Sequence, residues 1–166
     1  MNMTHYMELL ATNQPWNLIL FMAIPVILAE TIAITELYIL FSRDFTGGMR
    51  RANRIAGMIG GIYFSVIFVY LFTHVVIPLS GGGLWRGLFD VVAVGSYLLG
   101  VVPLAGISLM EFGLLYRNRT SEEKLRLHAV FVAVFLVVAH VAMISGMLDP
   151  TIVWSGAEPM QMPIHQ

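Results

Sequence analysis

Apolar residues run almost unbroken through four stretches of the chain, approximately Trp16 to Ser42, Ile55 to Pro78, Leu84 to Tyr116 and Leu125 to Leu148, with short polar connections between them. A bilayer core is crossed by about 20 helical residues, so each stretch is long enough to span it, the third with turns to spare. Barrel strands would be about half as long and would alternate in polarity, which these stretches do not. The pattern predicts an all-α, up-down bundle of four transmembrane helices, a single integral membrane domain over residues 1–166 with short polar terminal segments. Composition agrees: of 166 residues 58% are hydrophobic and 11% charged, and the mean hydropathy is +0.80.

The basic residues orient the bundle. Arg43, Arg50, Arg51 and Arg54 follow the first stretch, Arg117, Arg119, Lys124 and Arg126 follow the third, and only Arg86 lies in the middle connection. Eight of the nine cations therefore share one side, which predicts both termini on the outer, periplasmic side of a bacterial inner (plasma) membrane. Trp16, Trp85 and Trp154 fall at the opposite edge, where interfacial indoles are expected. The first 15 residues are too polar for a signal-peptide core, so the first span reads as a retained helix.

Packing signals point to close helix contact. Gly57 and Gly61 form a G-x-x-x-G in the second span, and Ala129 and Ala133 repeat the small-residue spacing in the fourth. Pro25 and Pro103 predict kinks in the first and third spans, each freeing backbone carbonyls.

Polar groups inside the spans then become the question. The stretch ILAETIAITELYILF, Ile27 to Phe41, carries Glu30 and Glu36 into hydrocarbon, where an uncompensated acid costs about 2.5 to 3.5 kcal/mol. In the third span Asp90, Tyr97, Ser108 and Glu111 fall on one helical face, and in the second Tyr63, Tyr70 and His74 do the same. His140, Met143 and Met147 align in the fourth. By depth, Glu36, Glu111 and His128 group near the inner surface, Glu30, Tyr63 and Ser108 around the middle, and His74, His140, Asp90, Met143 and Met147 in the outer half. Glu36 is expected to be offset by His128 and the basic rim, and Glu30 to be neutral or paired with His140 or a bound cation.

Several chemistries fit this inventory. His74 and His140, on helices that run in the same direction, are candidate axial ligands of a haem b. In outline this resembles membrane cytochromes b, but a second ligand pair is missing, since Gly60 and Gly61 stand where its partner would be. Glu36, Glu111 and His128 offer oxygen and nitrogen ligands for iron or another transition ion, without the E-x-x-H pairs of di-iron bundles. Met1, Met3, His5 and Met7 at one terminus, Met160, Met162 and His165 at the other, and Met143 with Met147 suggest copper(I), which thioether and imidazole select. The alternative is a small proton-coupled carrier or permease, or a structural subunit of a membrane complex, with Glu30, Tyr63, Tyr70, Tyr97 and Asp90 as a proton relay.

The leading expectation is a redox centre or metal ion held for electron transfer or metal handling. Its partners would be the lipid bilayer, a quinol, a periplasmic redox or metal protein, further copies of the chain or a larger membrane complex. The absence of cysteine excludes thiolate sites on this chain, and no nucleotide-binding loop, catalytic triad or H-E-x-x-H supports a hydrolase or a kinase. Nothing in the charge pattern supports nucleic-acid binding.

Overall fold

The computed structural model describes residues 3–151, and every regular element among them is helical. A short α1 (His5–Ala11) precedes four helices long and apolar enough to cross a membrane: α2 (Trp16–Ser42), α3 (Gly48–Gly82), α4 (Leu88–Glu111) and α5 (Ser121–Met147). Large apolar side chains such as Phe41, Ile34, Val66 and Val137 face outward, as a lipid-facing surface requires. The core runs along the bundle through Ile32, Phe64, Leu104, Ile107, Val132 and Phe135.

Neighbouring helices are antiparallel, and their first and last turns show it. Asn53 near the start of α3 meets Ile32 and Thr35 in the second half of α2, while His128 near the start of α5 meets both Glu36 and Glu111. Two sites explain the tightest approach. A Cβ on Gly57 would come within 2.8 Å of Ile107 Cγ2, and one on Gly61 would collide with Ser108 and the Leu104 carbonyl, so α3 lies on α4 through the G-x-x-x-G face. The Ala129 and Ala133 pair does not do the same for α5. Ala133 is exposed, and the close approaches there are made by Gly100 and Gly106 of α4 beneath Phe135 and Phe131.

Helix ends differ from those expected. α3 begins at Gly48 rather than near Ile55, which makes Arg50, Asn53 and Arg54 helical; α4 covers Leu88–Glu111 rather than running from Leu84 to Tyr116. α5 starts at Ser121 on a capping box, Thr120 Oγ1 accepting from Glu123 N–H at 3.3 Å and Glu123 Oε2 accepting from Thr120 N–H at 3.1 Å.

The helix is irregular before each of the two prolines, and before a third. A π-helical turn, Ile19–Ala23, precedes Pro25, and another, Phe72–Val76, precedes Pro78. Pro25 has no N–H to give to Phe21 O, four residues back, or to Leu20 O, five back in the π register. Both carbonyls are served from other helices: Tyr97 Oη donates to Phe21 O and Tyr63 Oη to Leu20 O at 3.0 Å. α4 is interrupted at Gly100, three residues before Pro103, and its two halves take different neighbours. The half before the break packs chiefly on α5, the half after it chiefly on α3.

Candidate functional site

At the basic end of the bundle, α2, α3, α4 and α5 each contribute to one buried polar cluster. The His128 imidazole lies between two acids, Nδ1 3.2 Å from Glu36 Oε1 and Nε2 3.3 Å from Glu111 Oε1, and all three side chains are almost wholly buried. The early start of α3 supplies the counter-charge: Arg50 Nη2 stands 2.8 Å from Glu111 Oε1, and Arg54 Nε 3.5 Å from Glu111 Oε2. Arg54 Nη2 also donates to the Glu111 carbonyl at 3.2 Å, closing the end of α4. Asn53 ties the cluster to α2, its amide donating to Thr35 Oγ1 at 2.9 Å and to Ile32 O at 3.1 Å while its Oδ1 accepts from Arg50 Nη1 at 2.9 Å.

The middle of this cluster is under-bonded. His128 Nδ1 lies within ion-pair range of Glu36 Oε1 and Nε2 within that of Glu111 Oε1, yet none of the four atoms is aligned for a hydrogen bond, and Glu111 Oε1 is compensated by the charge of Arg50. A neutral imidazole has a single N–H and can serve one acid only; serving both requires one more proton, on the ring or on a carboxyl. The arrangement is suited to gaining and losing a proton. It is less suited to a metal ion, because the two ring nitrogens face different carboxylates and the three groups share no centre. Among the described residues no group of three His, Cys, Asp or Glu side chains is placed to hold one.

Toward the opposite end, α2 and α5 part to leave a crevice of about 230 Å³ lined mainly by apolar residues, with Glu30, His140 and Met143 on its walls and Tyr97 and Tyr6 at its back. The imidazole of His140 donates from Nδ1 to Leu136 O, 2.6 Å away on its own helix, which leaves Nε2 outside that bond. Among the described residues the Glu30 carboxyl has neither an ion-pair nor a hydrogen-bond partner. His74 lines a different groove, between α3 and α4, stacked on Tyr70 at 4.6 Å with Nδ1 3.0 Å from Tyr70 O. The structure therefore does not bring His74 and His140 to a common cavity, and both are exposed. Met143 is half-buried and Met147 is 71% exposed.

The proposed relay residues are dispersed. Tyr63 and Tyr97 are committed to the α2 carbonyls, Tyr70 to stacking with His74 and Phe21, and Asp90 to the amino-terminal segment. Asp90 is completely buried, its Oδ2 2.6 Å from His5 Nδ1 and its Oδ1 accepting from the His5 N–H at 2.6 Å. Around that pair α1 folds across the end of the bundle. Thr4 Oγ1 donates to Gly146 O at 2.8 Å, Tyr6 packs on Tyr97 at 5.2 Å, and Glu8 pairs with Arg86. His5, read from the sequence as a soft-metal ligand, is held by Asp90 instead. Met1, Trp154, Met160, Met162 and His165 lie outside the described residues.

Arg50 and Arg54 were read from the sequence only as members of the basic rim, not as partners of Glu111, and Asn53 was not singled out, although a signal was present. Residues 50, 54, 57 and 61 fall on one helical face, so the glycines that meet α4 extend into a basic stripe that meets α4 at Glu111, while Asn53, at the edge of that face, turns to α2. Among known proteins, a family model described as a family of unknown function, DUF6803, matches residues 1–162. No curated protein and no solved structure matches the chain.

Proposed function

We propose that this chain, which belongs to the DUF6803 family, is a small proton-coupled membrane carrier. The observation that supports the reading is the His128 imidazole suspended between Glu36 and Glu111, with Glu36 Oε1 and both ring nitrogens buried and without a hydrogen bond, a group that gains bonds by taking up a proton. Glu30, six residues from Glu36 along α2 and so about 9 Å up the helix, is the second station, facing the lipid-accessible crevice where a membrane-soluble substrate would bind. The basic end faces the cytoplasm of a bacterial inner membrane and both termini face the periplasm, in keeping with the distribution of arginine and lysine. Four spans enclose little space, so the carrier works as a homo-oligomer or beside a partner subunit.

Proteoliposomes holding a pH-sensitive dye test this. Under an imposed pH gradient and membrane potential, vesicles with the wild-type chain should equilibrate protons faster than empty ones. Glu30→Gln and His128→Asn should each slow them about tenfold or more. Wild-type vesicles no leakier than empty ones would overturn the reading.

One observation favours a second reading, electron transfer or metal handling. His140 Nε2 and the Met143 thioether lie on the same crevice wall, the ligand types that copper(I) prefers. Stoichiometric copper in protein purified from copper-supplemented cells, lost in His140→Ala/Met143→Ala, would support it over the carrier; a Soret band lost on His140→Ala would point to haem.

A further inference from the structure

The inner cluster has an outward neighbour with a chemistry of its own. Beside Glu111, the loop before α3, the first turns of α3 and α5 and the end of α4 enclose a pocket of about 480 Å³. Arg50, Arg51, Arg54 and Lys124 line it, with the hydroxyls of Thr46 and Ser121 and apolar Phe45, Met110 and Phe112. Among the described residues the only acid on its wall is Glu111, buried at the inner edge and held by Arg50 and Arg54. The other nearby acids are occupied elsewhere: Asp44 accepts from Thr46 N–H at 3.1 Å and Gly47 N–H at 2.8 Å, Glu123 pairs with Arg119 and Glu122 with Arg126. Four cations thus converge on one concavity against a single carboxylate. Among the described residues, Arg51 and Lys124 have no ion-pair partner at all.

Membrane topology alone does not require this. The positive-inside rule asks for a number of cations on one side, and Arg43, Arg117, Arg119 and Arg126 contribute to that count from outside the pocket. Convergence of four more around two hydroxyls asks for an anion with several acceptor oxygens.

We infer that this pocket is a binding site for a phosphate group, presented either by an anionic phospholipid headgroup or by a soluble phosphate. The rim of Phe45, Met110 and Phe112 would accept the start of an acyl chain in the first case and stay bare in the second. Rested on the carrier reading, the site also has a regulatory meaning: a bound phosphate competes with Glu111 for Arg50 and Arg54 and so alters the acid that faces His128.

Lipid retention measured by native mass spectrometry, after reconstitution in equal mixtures of phosphatidylglycerol and phosphatidylcholine, tests the site without any transport assay. Failure here therefore leaves the carrier reading standing, and failure of proton flux leaves this site standing. The wild-type protein should retain the anionic lipid preferentially. Arg51→Gln/Lys124→Gln should lower that preference about tenfold or more, and Arg117→Gln/Arg119→Gln, the same change of charge outside the pocket, should leave it within about twofold. Among the described residues the Arg51 and Lys124 side chains make no hydrogen bond or ion pair, so the double variant should fold; circular dichroism checks this. Inorganic pyrophosphate, titrated into wild-type protein in neutral detergent, gives a measurement that needs no variant. Saturable binding that displaces retained phosphatidylglycerol supports one phosphate site open to both sources. Binding of pyrophosphate without lipid preference assigns the site to a soluble phosphate, and lipid preference without pyrophosphate binding assigns it to the bilayer. Equal losses in the two double variants, or neither preference nor pyrophosphate binding in the wild type, would overturn the inference.

Discussion

Replacing Arg50 with alanine separates a buried ion pair from an exposed one at the same acid. The Glu111 side chain is 5% exposed, and of its two arginines Arg50 is 18% exposed at 2.8 Å while Arg54 is 57% exposed at 3.5 Å. Removing one partner of a buried pair costs about 3–5 kcal/mol, because the remaining charge is left without compensation; an exposed pair contributes about 0–1 kcal/mol. Arg50 keeps some contact with solvent, so the lower end applies, and its loss also strips the donor from Asn53 Oδ1. The expected cost of Arg50→Ala is about 3 kcal/mol, roughly a hundredfold in the unfolding equilibrium, against less than about 1 kcal/mol for Arg54→Ala. Unfolding in mixed micelles with rising SDS fraction measures both. In a Glu111→Gln background the effect of Arg50→Ala should shrink below about 1 kcal/mol, since no charge remains to be stranded. Equal costs for the two arginines, or no relief from Glu111→Gln, would refute the assignment of Arg50 as the counter-charge of the cluster.

Four other outcomes follow from the packing. Tyr97→Phe should destabilise by about 1 kcal/mol in the same assay, within the range found for interhelical hydrogen bonds in membranes, and more than Tyr63→Phe, whose ring is less buried. Gly61→Ala should cost at least about 1 kcal/mol more than Gly60→Ala, because a Cβ at Gly60 meets nothing nearer than Leu28 Cβ at 3.7 Å. Asp90→Asn should loosen α1, seen as faster amide exchange over residues 5–11 with the exchange of α3 unchanged. Burial pushes the Tyr6 phenol up from 10.0 to about 12, so between those pH values the folded chain keeps a proton that the unfolded chain gives up. Stability should therefore fall as pH rises through that window, and Tyr6→Phe should lessen the fall.

Hydropathy and helical phase carried the four long helices, the G-x-x-x-G contact and the depth at which Glu36, Glu111 and His128 meet. Phase within a helix tells which residues share a face, and the amount of apolar sequence tells how many helices there are. Neither tells which neighbour a face meets, and the misplaced residues are of that kind. His74 and His140 were both assigned to the outer half but sit on faces turned to separate grooves. The stripe of Asp90, Tyr97, Ser108 and Glu111 is buried throughout, but the break at Gly100 hands its two halves to different helices. Asp90 and His5 are separated by 85 residues, and no local pattern encodes that pairing. The basic extension of α3 was legible in principle. Hydropathy ended the helix where the membrane core ends, although the backbone hydrogen bonding continues through Arg50 and Arg54 into the polar region.

The fold of α1 over the bundle has a consequence for biogenesis. Its anchors are Asp90 and the carbonyl of Gly146, the latter 142 residues downstream of Thr4. A ribosome adds about 5–20 residues per second, so the leading segment waits on the order of ten seconds before its last docking surface emerges. Throughout that interval Thr4 has no acceptor at Gly146, so the closure of α1 over the bundle follows the synthesis of α5.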